Sequence, residues 1–202
     1  MSVAIIPAAG KSSRMGRPKL SLPLAGKTIL EHVIAALHAG GCQDVLCVIG
    51  PHVAELAPLA EQVGAAVYLL PEETPDMRAT VEQGWRWWER RRAMQDEDAW
   101  YLVPADHPIL DATIITRLET ELIRQPEKSI VLPTFQGKRG HPALLRWKHV
   151  AGMRGLPPDV GLNVYLRQRA GETLEVPVET PGVLLDLDTP EEYQRLVGAL
   201  SS

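Results

Sequence analysis

The stretch PAAGKSSRMGRPK, Pro7 to Lys19, sets Lys11, Arg14, Arg17 and Lys19 beside two glycines in a chain whose net charge is −4. That combination suits an anion. Gly10 lets backbone amides approach closely, Ser12 and Ser13 add hydroxyls, and the basic side chains supply charge. Neither standard phosphate loop is present. Five residues separate Gly10 from Gly16 and Arg17-Pro18 follow, so there is no G-x-x-x-x-G-K-[ST], and no G-x-G-x-x-G occurs either. Pro18 keeps the chain extended before Lys19. On spacing alone the segment is either an anion-binding loop or a solvated run of charge. Its place directly after an apolar run favours the first reading, because ligands of parallel α/β sheets gather at the carboxyl ends of strands.

Carboxylates at two further places could complete such a site. Asp106 follows an apolar run in WYLVPADHP, a position that also suits a helix cap or turn. Asp186 and Asp188 alternate in LLDLDTPEEY, so on a straight strand they point to opposite faces. Mg²⁺ takes one or two carboxylates together with substrate phosphates and water; from the residues alone, however, a cap or turn is the favoured reading of Asp106. His141 lies in GKRGHP beside Lys138 and Arg139, as a lone histidine in a hairpin-like turn. The other histidines, His32, His38, His52, His107 and His149, show no zinc spacing.

Elements able to position these residues are readable. Val3–Ile6, Val45–Ile49, Ala66–Leu70, Trp100–Val103 and Ser129–Leu132 are short, continuous apolar runs, the pattern of strands buried on both faces. A helix follows Thr28, where Thr28 and Glu31 form a capping-box pattern, and Gly40-Gly41 stops it. Further helices are expected over His52–Val63, Met77–Arg92 and Asp111–Arg124. The β-α-β-α order predicts an α/β fold with a mainly parallel, doubly wound sheet. After Pro133 the rhythm changes to a Gly-rich hairpin, then strands at Leu174–Val178 and Val183–Leu187. A C-terminal helix opens at Thr189-Pro190. The expectation is one domain over residues 1–202 with a small mixed or antiparallel appendage.

Composition narrows the function. A 45% hydrophobic, 23% charged chain has the balance of a folded globular protein. Its acidic balance gives no support for nonspecific nucleic-acid binding, and WRWWERRR (Trp85–Arg92) reads as packing plus C-terminal helix charge. No apolar run approaches a membrane span, and the two cysteines, Cys42 and Cys47, read as reduced thiols of a cytoplasmic protein.

PAAGKSSRMGRPKLSLPLAGKTILEHVI closely resembles the N-terminal signature A-A-G-x-S-x-R-M-G-x-x-K-x-L-x-P of nucleotidyltransferases related to molybdenum cofactor biosynthesis. Ala8, Ala9, Gly10, Ser12, Arg14, Met15, Gly16, Lys19 and Pro23 match, while Ser21 stands where members often carry Leu. The resemblance implies a Rossmann-like nucleotidyltransferase fold. It implies that Ala8-Ala9-Gly10 lie by the base and phosphates of a nucleoside triphosphate, and that Arg14 and Lys19 hold phosphate charge. Asp106-His107-Pro108 resembles the family's D-x-P, whose Asp binds Mg²⁺, and DLDTPEE resembles its D-x-D-T-P-E-D ending, with Asp186 favoured over Asp188 for the metal. GKRGHP resembles an acceptor-side G-x-G-H-P, and PDVG resembles G-D-x-G, which implies acceptor roles for His141, Arg139 and Asp159. The family's G-M-x-x-S segment is altered: Asp76 replaces Gly, Thr80 replaces Ser as a nucleotide-side hydroxyl, and Arg78 adds a cation.

The expected activity is Mg²⁺-dependent transfer of CMP from CTP to molybdopterin with release of pyrophosphate. A client molybdoenzyme or its chaperone is the implied partner, and neither nucleic acid nor membrane is involved. Two alternatives stand beside it. One is a guanylyl- or sugar-phosphate nucleotidyltransferase; the other is a noncatalytic nucleotide- or pterin-binding factor.

Overall fold

The computed structural model describes residues 2–200. Its centre is an eight-stranded sheet built from β1 (Ser2–Ala8), β4 (Asp44–Ile49), β5 (Ala66–Leu69), β6 (Ala99–Leu102), β7 (Ile130–Phe135), β8 (Lys138–Arg139), β9 (Ala143–Arg146) and β10 (Thr173–Pro177). The order is β10-β7-β9-β6-β1-β4-β5, with β8 paired to β7. β6, β1, β4 and β5 run parallel, as do β7 and β10, and β9 joins the two blocks by antiparallel pairing on both sides. β2 (Pro23–Leu24) and β3 (Lys27–Thr28) form a separate two-stranded ribbon. The changed rhythm after Pro133 therefore enters the main sheet as β8 and β9, through a turn whose Gln136 and Gly137 both have positive φ.

The helices are α1 (Ile29–Ala39), α2 (Leu56–Gln62), α3 (Met77–Glu89), α4 (Ala112–Arg124), α5 (His149–Arg154), α6 (Leu162–Gln168) and α7 (Pro190–Leu200). Thr28 and Glu31 make the reciprocal capping box at α1. Asp111 caps α4, and Asp76 caps α3 by accepting from the Ala79 amide at 2.7 Å. The expected helix from His52 instead begins as a short 3₁₀ turn, Pro51–Val53, before α2.

Two apolar layers cover the sheet. On one face α1, α2 and α4 pack over Ala4, Ile6 and Cys47; on the other, α3 packs over Val3, Ile5 and Val48. α3 lies close because residue 84 is glycine: a Cβ there would come within 2.7 Å of Ile5 Cγ2. Trp85, Trp87 and Trp88 are all buried, and the following arginines stack outward, Arg91 over Trp87 and Arg90 over Tyr68. This segment is core with a cationic edge, as its helical spacing implies. Cys42 and Cys47 are buried and free.

One expected strand is absent. Val183 and Leu184 close a 3₁₀ turn, Pro181–Leu184, and the chain from Leu185 to Leu187 is irregular. Its backbone bonds elsewhere: the Val183 carbonyl accepts from the His141 amide at 2.8 Å, and the Leu187 amide donates to the Asp106 carbonyl at 3.0 Å.

Candidate active site

The loop after β1 folds back on itself. Ser12 takes a left-handed conformation (φ 49°), and its carbonyl accepts from the Met15 amide at 2.9 Å. Met15 is buried and pins the turn, while the Lys19 amide donates to Ser12 Oγ at 3.3 Å. This closure brings Arg14 and Lys19 to the end of the sheet where Asp106 leaves β6. Lys19 Nζ donates to Asp106 Oδ2 at 2.6 Å, to the Leu187 carbonyl at 2.8 Å and to Asp188 Oδ1 at 3.1 Å. Arg14 reaches the other oxygen, Asp188 Oδ2, at 2.8 Å. Four residues from three loops thus form one chain of alternating charge.

The two members of the acidic pair point apart. Asp188 turns inward to Lys19, whereas Asp186 is exposed. Strand alternation does not apply, because the segment is held by the Leu187–Asp106 backbone bond and by a cap at α7. There Glu192 accepts from the Asp188 and Thr189 amides at 2.8 and 2.9 Å. Burial pushes the Asp188 carboxyl up, but hydrogen bonding to Lys19 and the charges of Lys19 and Arg14 outweigh it. The carboxyl is held below the usual aspartate value.

A cavity of about 470 Å³ extends from these charges. Its walls are Ala8-Ala9-Gly10, Ser12 and Arg14, and on the far side Glu73–Met77 with Thr80. Thr80 is buried, bonded through Oγ1 to the Asp76 carbonyl at 3.1 Å and to the Thr74 hydroxyl at 2.5 Å. Ala9 sits against Gly50; a Cβ on Gly50 would stand 3.1 Å from Ala9 Cα and 2.9 Å from His52 Cε1. Across the mouth, Lys11 pairs with Glu73 at 2.7 Å, with His52 3.6 Å from the same carboxylate. The sequence reading missed Glu73, Thr74 and His52 as lining residues, since nothing local marks a contact across the cavity.

The expected acceptor residues do not line this cavity. His141 packs its ring edge-on against His107, centroids 5.2 Å apart, and Nδ1 of each ring is sealed off without a partner. Burial pushes the His141 imidazole down to about 4, with the His107 charge acting in the same sense. Burial likewise lowers His107, against the opposing charges of Asp106 and Asp186. Arg139 is exposed and ion-paired to Glu175 at 2.7 Å. Asp159 is exposed in the Arg154–Val160 segment. Arg78, the added cation of the altered segment, turns away from the cavity and donates to four backbone carbonyls of the Arg154–Val160 segment.

Asp106 and Asp188 converge on one ammonium, so they could also converge on one hard cation. Two carboxylates leave room for phosphate oxygens and water, the mixture Mg²⁺ and Mn²⁺ take. Among the described residues no group of three or more His, Cys, Asp or Glu side chains is arranged to hold a metal ion by itself. The donor set fits a metal shared with a phosphorylated substrate.

A parallel sheet with a cationic loop after its first strand, two carboxylates beside a lysine and an adjoining cavity define a nucleotidyltransferase of Rossmann-like fold. Comparison with known proteins bears this out. Residues 4–173 match the model of the MobA-like NTP transferase domain, and the chain belongs to that family. Phosphoenolpyruvate guanylyltransferase of Rubrobacter xylanophilus is 30% identical over 190 residues, spanning 93% of this chain and 87% of that protein. Molybdenum cofactor cytidylyltransferase of Escherichia coli is 28% identical over 191 residues, spanning 94% and 92%. Among solved structures, Rv0371c of Mycobacterium tuberculosis in complex with manganese superposes with a TM-score of 0.70 at 20% identity, over 98% of each chain. No helix among the described residues is long and apolar enough to cross a membrane.

Proposed function

We propose that this nucleotidyltransferase transfers CMP from CTP to molybdopterin, releasing pyrophosphate. The observation that carries the catalytic reading is the Lys19 ammonium shared by Asp106 and Asp188 at the end of the cavity beside Ala8-Ala9-Gly10. The acceptor phosphate attacks the α-phosphorus in line, and no covalent nucleophile on the protein is required. Bringing two anions together is the main obstacle. A unit charge pair at 4 Å is worth roughly 4 kcal/mol at an effective dielectric near 20, so the cations Arg14 and Lys19 supply transition-state stabilisation of the needed size. Asp106 and Asp188 would hold Mg²⁺, which polarises a phosphoryl oxygen when bound. Manganese in the mycobacterial relative supports a divalent ion of this kind.

The base reading rests on Ala9. Ala9 lines the cavity and its methyl sits against Gly50; on our reading the methyl narrows the space beside the loop and favours a one-ring base. The cytidylyltransferase relative supports the same reading and the acceptor with it. A molybdoenzyme or its chaperone would then receive the product, and two buried free thiols support a cytoplasmic setting. The 30% identity to a phosphoenolpyruvate guanylyltransferase favours a second reading, GMP transfer from GTP. Pyrophosphate release should be measured for CTP and GTP, each with molybdopterin or phosphoenolpyruvate. CTP with molybdopterin should turn over fastest; a higher kcat/KM for GTP would overturn the assignment and promote the second reading.

A further inference from the structure

Arg78 occupies the first turn of α3, between Met77 and Thr80, both of which line the cavity. Its side chain leaves that cavity. The guanidinium donates to the carbonyls of Arg154, Leu156, Pro157 and Val160 over 2.5 to 3.3 Å. This uses the fork of fixed donors that arginine, unlike lysine, presents. α5 ends at Arg154, whose carbonyl lies beyond the Ala151 and Met153 carbonyls that the Gly155 amide bonds, at the negative end of the helix dipole. A cation from another helix suits that position. The other end of α3 is tied to the same place, since Arg154 pairs with Glu89 at 2.9 Å.

We propose that Arg78 is a positioning residue coupling occupancy of the nucleotide cavity to the Arg154–Val160 segment. One helical turn carries the cavity wall on one side and the carbonyl clamp on the other. A ligand that fixes Met77 and Thr80 therefore fixes the origin of the Arg78 side chain and, through four hydrogen bonds, the segment beyond. The effect is reciprocal: holding the segment favours the wall geometry that accepts the ligand. The inference rests on reading the cavity as the nucleotide site. The carbonyls are not deeply buried, and water can replace the guanidinium, so loss of the clamp changes coupling more than folding.

The test is hydrogen exchange on the full chain with and without CTP or GTP plus Mg²⁺, for wild type, Arg78→Lys and Arg78→Ala. In wild type, nucleotide should slow exchange across 154–160 by about tenfold, within the range of ordinary site-to-site coupling. Arg78→Ala should abolish that response and raise the nucleotide KM by about tenfold, with kcat at saturating nucleotide kept within about twofold. Arg78→Lys, with one ammonium for four carbonyls, should retain part of the response. The wild-type measurement decides even if a variant folds poorly. Nucleotide binding with unchanged exchange at 154–160 overturns the coupling alone, as does an Arg78→Ala variant that responds like wild type. A wild-type protein that binds neither nucleotide removes the nucleotide reading and the coupling together.

Discussion

Replacing Lys19 with Met keeps the length of the side chain and removes its charge. In the structure Asp106 Oδ2 and Asp188 Oδ1 lie 2.6 and 3.1 Å from one nitrogen, and the three side chains are 14–25% exposed. Without the ammonium, two carboxylates at about 5 Å repel by about 3 kcal/mol at an effective dielectric of 20. Protonation of one of them, or a divalent ion between them, relieves that repulsion. The Lys19→Met protein should therefore melt lower than wild type near neutral pH without divalent ions, and recover most of the difference in millimolar Mg²⁺ or Mn²⁺. Turnover should not recover, because the cation facing the reacting phosphates is gone. Losing one such group costs about 2.7–4 kcal/mol, or 10²–10³ in kcat. The assay is thermal melting with and without Mg²⁺ alongside pyrophosphate release. A variant with normal turnover, or one destabilised equally with and without the ion, would refute the reasoning and make Lys19 a structural residue.

Asp106→Asn should fold normally yet lose Mg²⁺-dependent turnover by orders of magnitude; unchanged metal dependence of pyrophosphate release would remove Asp106 from the metal site. Ala9→Gly deletes the methyl beside Gly50 and should narrow the CTP-over-GTP ratio of kcat/KM by about tenfold, since a methylene-sized group discriminates by ~1–3 kcal/mol; an unchanged ratio in direct competition would show that the methyl does not read the base. His149 bonds Tyr165 at 3.0 Å and Ser129 at 2.8 Å, and its imidazole is depressed to about 4, first by burial, with the charge of Glu172 opposing and those of Lys148 and Arg169 adding. The unfolded chain takes up this proton near 6.5 but the folded one only near 4, so stability should fall as pH drops through that window; urea midpoints that stay flat there for wild type, or fall equally for His149→Gln, would contradict the assignment.

Much of the fold was legible because its signals are local. Thr28 and Glu31 are three residues apart, and the apolar runs that become β1, β4 and β6 need no distant partner to be read as buried strands. The loop residues of the candidate site were legible through one long motif. What the sequence does not disclose are contacts between segments far apart in the chain. Asp186 was favoured over Asp188 on a strand that does not form, because Leu187 bonds to the backbone of Asp106 instead of a neighbouring strand. Nothing near Arg78 in the sequence discloses its role, because its carbonyl partners lie more than seventy positions away. Asp76 stands where the family's motif carries Gly, and an aspartate opening an apolar helix also carries the local signal of the cap it proves to be. His141 was placed by motif, but its packing against His107 depends on a hairpin meeting the end of another strand.

The basic loop of an acidic chain also has an electrostatic logic that composition could not reveal. Three of its four cations are already matched: Lys11 by Glu73, Arg14 by Asp188, and Lys19 by Asp106 and Asp188. The fourth, Arg17, lies over the ring of Tyr193. So paired, the loop holds no large surplus of positive charge, which would otherwise strain the fold and attract anions without selection. A triphosphate arriving alone meets carboxylates as well as cations. It gains the full attraction of Arg14 and Lys19 only as Asp106 and Asp188 are drawn to a positive partner of their own. A divalent ion accompanying the nucleotide would be such a partner. On the proposed function, the same ion pairs that leave the loop with little net charge would favour a metal–nucleotide complex over the bare anion, because charge can be exchanged among the groups without leaving any one of them unpaired.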